Sequence, residues 1–254
     1  MDKQLHNENI KKQFSKQATS YTAVAAHRDS LELLIEMADV SKEDIVLDIA
    51  CGSGIVTCEF AKYAHHVTGI DITKGMLDEA EKLQLANNLT NINWILDDVV
   101  PLQFFDNQFS IVVTRFSFHH FIDYEKVFDE MIRVCKTNGT IMVVDAVLPN
   151  EKVNKYDQME KIRDSSHAGV LTGESFDALF QASQIKECKK FFYEMPIELE
   201  TQLNASYLSN IEKEKLRLMI TQDVDKNDLG ISVNRIEGKY YLHYPICIYV
   251  GKKA

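Results

Sequence analysis

The sequence predicts an α/β protein built on a doubly wound, mostly parallel sheet. Three observations carry that expectation. Between about Ile45 and Leu148, short apolar runs alternate with amphipathic stretches of helical period, the pattern of βα units laid side by side. The first run, Val46-Leu47-Asp48-Ile49, opens into the small-residue loop Ala50-Cys51-Gly52-Ser53-Gly54. A second run closes on Gly69-Ile70-Asp71, and its acid comes about 20 residues after the loop, the separation used by βαβ units that hold a nucleoside.

The elements follow in order. Asn9–Met37 reads as one or two helices, and the stretch from Ala23 carries Leu31, Leu34, Ile35 and Ala38 at helical spacing. Strands are expected at Ile45–Ile49, His66–Ile70, Ile92–Leu96, Phe109–Arg115 and Thr140–Asp145. Helices are expected between them at Ile55–Tyr63, Lys74–Asn87 and Tyr124–Cys135, the last ending on Gly139 as a left-handed residue. Farther on, Val153–Asp164 and Gly173–Ser183 read as helices and Ile185–Met195 as a strand. Leu199–Thr221 reads as a charge-rich helix and Lys239–Val250 as a tyrosine-rich strand. Tyr240, Tyr241, Tyr244 and Tyr249 are expected to serve the strand and core rather than a substrate cage.

Composition removes several function classes. A formal charge of −10 repels phosphate backbones, so nucleic acid is a poor partner. The absence of a membrane-spanning apolar run and the polar start Met1-Asp2-Lys3-Gln4 lead to the expectation of a cytoplasmic protein without stable membrane insertion. The five cysteines are scattered with no CxxC pair, which argues for free thiols and against a structural metal site.

Which nucleoside the loop holds turns on its glycines. A dinucleotide loop needs G-x-G-x-x-G so that backbone meets a pyrophosphate at a helix start. Gly52-Ser53-Gly54-Ile55-Val56-Thr57 lacks the third glycine, and no Tyr-x-x-x-Lys pair directly follows the fourth strand. A nicotinamide oxidoreductase is therefore the weaker reading. Counted from Asp48, the pattern acid-x-small-x-Gly-x-Gly resembles the first motif of class I S-adenosylmethionine-dependent methyltransferases. Leu96-Asp97-Asp98-Val99 and Glu130-x-x-Arg133-Val134-Cys135-Lys136-Thr137-Asn138-Gly139 resemble later segments of that family. Gln13-Phe14-Ser15-Lys16-Gln17-Ala18-x-x-Tyr21 is similar to the N-terminal helix of the ubiquinone/menaquinone C-methyltransferase-like (methyltransferase type 11) small-molecule group. Arg163-Asp164-Ser165-Ser166-His167 is similar to a segment of some of those relatives.

The resemblance implies a Rossmann-like sheet of seven strands in the order 3-2-1-4-5-7-6 with helical cap segments. It divides the chain into residues 1–40, N-terminal helices forming part of the cap; 41–150, the cofactor-binding core; and 151–254, cap helices and the last two strands of the same domain. It also implies S-adenosyl-L-methionine as cofactor, with S-adenosyl-L-homocysteine as product, and assigns residues to it. Asp48, Ala50, Cys51, Gly52 and Gly54 hold the methionine and ribose side, and Asp71 takes the ribose hydroxyls. Ile72 and Met76 flank the adenine, Asp98 with Val99 meets its amino group, and Tyr21 and Arg115 complete the set. Asp48, Asp71, Asp98 and Arg115 all fall at or just beyond the carboxyl ends of four successive expected strands, the rim where open α/β sheets bind ligands.

The expected reaction is in-line methyl transfer to a small molecule through O, C or N, and no metal is expected. A base is needed only if the acceptor must lose a proton. His119, His120 and His167 are the candidates, because imidazole titrates near neutrality. A cofactor-binding protein or a cyclase on the same fold stands as the alternative, and a homodimer is compatible with the sequence.

Overall fold

The computed structural model describes residues 2–182 and 185–254. Its elements are α1 (Lys3–Ala23), a 3-10 turn at Ala25–Arg28, α2 (Leu31–Ala38), β1 (Ile45–Ile49), α3 (Ile55–Ala61), β2 (His66–Asp71), α4 (Lys74–Ala86), β3 (Ile92–Leu96) and β4 (Phe109–Arg115). A 3-10 turn at Phe118–His120 leads to α5 (Tyr124–Val134), β5 (Cys135–Leu148), α6 (Asn150–Arg163), β6 (Leu171–Thr172), α7 (Gly173–Ala182) and β7 (Ile185–Glu198). The chain ends with α8 (Leu199–Ala205), α9 (Asn210–Thr221), β8 (Asn234–Ile236) and β9 (Lys239–Lys253). The expected helix Gly173–Ser183 runs to Ala182, and Ser183 lies outside the described residues.

The sheet has nine strands rather than seven. Its long strands run β3-β2-β1-β4-β5-β9-β7, while two-residue β6 pairs β5 and three-residue β8 pairs β9. With β6 and β8 set aside, this is the expected order 3-2-1-4-5-7-6. β1 to β5 pair in parallel, whereas β9 lies antiparallel between β5 and β7. Because successive strand residues face opposite sides, neighbours divide between two cores. Val46, Ile111, Val113, Met142 and Val144 pack with Leu34 and Phe60 on one face. Leu47, Ile49, Val112, Ile141 and Val143 pack with Phe128, Met131 and Phe176 on the other. Each fully buried side chain of this size contributes about 1.5–3 kcal/mol.

Several expected boundaries shift for local reasons. The apolar spacing from Ala23 is interrupted, because α1 stops at Ala23 and Ser30 enters α2 with a left-handed φ of 61°. The stretch expected as one helix over Leu199–Thr221 is two, because Ser209 and Glu212 form a reciprocal capping box that starts α9 afresh. After α5 the left-handed residue is Asn138, with φ of 61°, and not Gly139. Gly139 is there for space: a Cβ would sit 2.7 Å from the Cys135 sulfur and 2.8 Å from the Ser110 carbonyl oxygen. Among the described residues, no helix is long and apolar enough to cross a membrane, and no group of three or more His, Cys, Asp or Glu is arranged to hold a metal ion.

Candidate active site

At the carboxyl ends of β1, β2, β3 and β4 lies a chamber with about 1170 Å³ of empty space, its open mouth included. The β1–α3 loop forms its floor. Ala50 adopts φ of 52° there and Gly52 φ of 54°, so Ala50 bears a left-handed conformation that disfavours a side chain. A Cβ at Gly52 would meet nothing within 4 Å, which leaves the loop backbone open to a ligand. Asp71 accepts the Gly52 N–H at 2.9 Å on one oxygen and the Thr73 N–H at 2.8 Å on the other. Burial nonetheless raises its pKa, outweighing those bonds.

Opposite this floor, α1 forms a wall. Asp98 accepts from Asn7 at 2.9 Å and pairs with Lys3 at 3.0 Å, so the helix is tied to that carboxylate. Tyr21, Ala50, Cys51, Gly52, Asp71, Ile72, Met76, Asp98, Val99 and Arg115 all line the chamber. Asp97, one residue before Asp98, does not.

Two of the expected cofactor residues stand elsewhere. Asp48 is 1% exposed and absent from the chamber wall; it accepts from Thr57 Oγ1 at 2.5 Å and braces α3 beneath the loop. Gly54 also lies off the wall, with φ of 73°, and a Cβ there would be 2.6 Å from the Trp94 ring. Both shape the loop without facing the ligand space.

The residues present fit the nucleoside-bearing sulfonium compound that the sequence implies. Ser53 Oγ and Arg115 Nε are buried without a partner among the described residues, and both residues line the chamber. The Arg115 guanidinium donates to the carbonyls of His27 at 2.6 Å and Asp29 at 3.0 Å and packs over the Phe116 ring at 4.3 Å. It has no carboxylate partner among the described residues, so an amino-acid carboxylate is its natural complement. The acid at Asp71 and the apolar pair Ile72 and Met76 suit ribose and adenine in turn.

A second chamber, with about 680 Å³ of empty space, adjoins the first. Phe14, Tyr21, His27, Phe116 and His120 line both and form the partition. The Tyr21 and His27 rings meet at a tilt of 31° with centroids 4.0 Å apart, and Phe116 holds φ of 56°, a strained value of the kind that clusters at functional sites.

The three candidate histidines separate here. His119 lines the second chamber, and its Nδ1 meets Asp145 Oδ1 at 2.7 Å. The carboxylate fixes the proton on Nδ1 and leaves Nε2 as the basic nitrogen. Burial disfavours the charged ring, but Asp145 outweighs it and the His119 pKa is raised. His120 donates from Nδ1 to the Ser166 carbonyl at 3.1 Å, and burial, with the neighbouring His119 charge, holds its pKa well below the usual value. Its ring sits 4.2 Å from that of His119. His167 corrects the expectation: it lines neither chamber, its side chain is 1% exposed, and Nε2 is held by Asp157 at 2.7 Å. Packing in this segment turns it into a buried structural histidine.

Sequence reasoning missed His27, whose pKa burial lowers to about 4, and set Tyr244 aside as core. Tyr244 lines the second chamber together with Tyr156, Glu160 and Gln202. No local spacing signals these residues, because α6, α8 and β9 bring them together only in the folded chain.

A family model described as a methyltransferase domain matches residues 46–139. The uncharacterized methyltransferase YcgJ of Bacillus subtilis is 30% identical over 192 residues, covering 74% of this chain and 76% of that one. A demethylmenaquinone methyltransferase of Listeria monocytogenes is 30% identical over 152 residues, 56% of this chain and 64% of the relative. The crystal structure of Bacillus subtilis YcgJ shares the fold with a TM-score of 0.80 at 23% identity, covering 88% of this chain and 97% of that one. The match to YcgJ over most of both sequences, joined to the chamber at the strand ends, shows that the chain belongs to the S-adenosylmethionine-dependent methyltransferase family.

Proposed function

We propose that the first chamber holds S-adenosylmethionine, that the second holds a small-molecule methyl acceptor, and that His119 takes the acceptor's proton when it must lose one. The observation that carries this reading is the His119–Asp145 pair lining a second chamber that shares a partition with the first. When bound, the cofactor supplies a methyl group already activated by a sulfonium.

Each residue then has a task. Asp71 orients the ribose through its carboxylate, which backbone N–H groups hold rigid. Asp98 serves the adenine edge and links it to α1 through Lys3 and Asn7. Arg115 offers its free Nε to the methionine carboxylate. Phe14, Tyr21 and Phe116 exclude water from the partition where the methyl group crosses. His119 Nε2 accepts the acceptor's proton while Nδ1–H remains donated to Asp145, which stabilises the resulting imidazolium. His120 stays neutral beside it.

The formal charge of −10 supports a small-molecule substrate over nucleic acid and a cytoplasmic setting over an anionic membrane surface. The Listeria relative, named for demethylmenaquinone, supports an acceptor of that size. Calorimetry should detect S-adenosylhomocysteine binding in the micromolar range, weakened roughly 100-fold by Asp71→Ala through loss of charge-assisted hydrogen bonds. Absence of binding by the intact protein would overturn the assignment of the first chamber. Release of S-adenosylhomocysteine on incubation with metabolite fractions tests transfer itself.

A further inference from the structure

We propose that Asp164 is a specificity-determining residue of the second chamber, which anchors a hydrogen-bond-donating head group of the acceptor, a hydroxyl or an ammonium, and rejects anions. The inference rests on the reading of this chamber as the acceptor site. Asp164 is 1% exposed and lines the chamber. Its Oδ1 is occupied by the Ser166 N–H at 2.8 Å and the Ser166 hydroxyl at 2.5 Å. Its Oδ2 makes no hydrogen bond, and the carboxylate no ion pair, among the described residues. Oδ2 is not among the buried orphan polar atoms, so it stays reachable and open to a donor that a ligand brings.

The other charges around the chamber are already matched. Glu160, 2% exposed, takes Arg163 Nε at 2.7 Å and Nη2 at 2.5 Å on one oxygen. Its other oxygen accepts the Tyr244 hydroxyl at 3.2 Å, and that hydroxyl in turn accepts from Gln202 at 3.5 Å. Asp145 is matched by His119. His120, next to Asp164 through Ser166, is neutral. Asp164 thus supplies a carboxylate of the chamber with no ion-pair partner among the described residues. Burial works to raise its pKa, but the charge that His120 takes on in acid, Arg163 and the Ser166 bonds hold it below the usual carboxylate value, so it presents a negative charge near neutrality. An acceptor bearing a carboxylate or phosphate there would bury like charge against like; a hydroxyl or ammonium would fill the vacant acceptor position.

The test uses the full chain saturated with S-adenosylhomocysteine and three small phenols whose head groups are an ammonium, a hydroxyl and a carboxylate: tyramine, 4-hydroxybenzyl alcohol and 4-hydroxybenzoate. Binding is read by calorimetry or ligand-observed NMR and needs no turnover. Tyramine and the alcohol should bind at least tenfold more tightly than 4-hydroxybenzoate. Asp164→Asn keeps an acceptor for Ser166 while removing the charge, and should reduce that preference at least tenfold with S-adenosylhomocysteine binding unchanged. Equal binding of 4-hydroxybenzoate, binding of none of the three, or an Asp164→Asn protein with the same ranking would each overturn the inference. The wild-type ranking decides the matter even if the variant fails to fold. Failure of S-adenosylhomocysteine to bind the wild-type chain would instead overturn the cofactor assignment on which the inference rests.

Discussion

Asp48 and Asp145 are both buried, yet their neighbours drive them in opposite directions. Around Asp48, burial dominates the Thr57 hydrogen bond and lifts its pKa to about 7. The folded chain therefore holds a proton between about pH 4 and pH 7 that the unfolded chain has lost, and stability falls as pH rises through that window. Asp48→Asn, which still accepts from Thr57, should flatten the fall, expected on the order of 1 kcal/mol per pH unit, in denaturant titrations at pH 4.5 and pH 7.5. Around Asp145, burial is outweighed by His119 and the pKa is lowered. Asp145→Asn should leave burial as the largest influence on His119, so its ring titration in NMR moves from above the ordinary histidine value to below it; an unmoved titration would remove Asp145 as its partner.

These residues also mark what the sequence discloses. Asp71, Asp98 and Arg115 were legible because each stands at or just beyond a strand end on one rim, which the βα pattern locates without tertiary information. Asp48 carried the same signal but points beneath the loop to Thr57, a distinction of one pleat that a motif does not encode. His119 and His167 were equivalent as residue types, and only their different partners, Asp145 and Asp157, distinguish them.

At the scale of elements, the β1–α3 turn is the most constrained segment. Gly54 starts α3 with φ of 73°, and a Cβ would press 2.6 Å from Trp94 and 2.8 Å from the Ala80 Cβ. Gly54→Ala should cost about 2–4 kcal/mol by urea denaturation, from strain and overpacking together. A loss under about 0.5 kcal/mol would show that the turn relaxes freely. Element boundaries were less legible than the elements themselves. The Ser209-x-x-Glu212 box was present in the sequence and identifies the break before α9, whereas the stop at Ala23 has no comparable signal, since Val24 interrupts neither polarity nor period.

In the whole molecule, the end of the chain is architectural. β9 pairs with β5 from Thr140 to Ala146 and with β7 from Ile185 to Glu198, and Lys252 and Lys253 bond back to Thr140 and Cys135 at 2.8 Å. Removal of residues 239–254 should expose both partner strands and yield an aggregated chain without a cooperative melt, measured by circular dichroism and sedimentation; a monomeric, cooperatively folding product would refute this. The parallel half of the sheet could be read from alternation of runs. The placement of β9 between β5 and β7 could not, because nothing local to either strand encodes an antiparallel insertion, and only the family resemblance supplied it.

Trp94 is the single tryptophan in 254 residues. Its indole N–H donates to Gln84 at 2.7 Å, and its ring lies against both Gly54 and Gly69, filling the space a Cβ would need at either. The only indole fluorophore of the protein is thereby wedged under the loop that floors the first chamber. A rearrangement of that loop should therefore change the Trp94 emission, which would let the proposed cofactor chamber be followed by fluorescence before any acceptor is known.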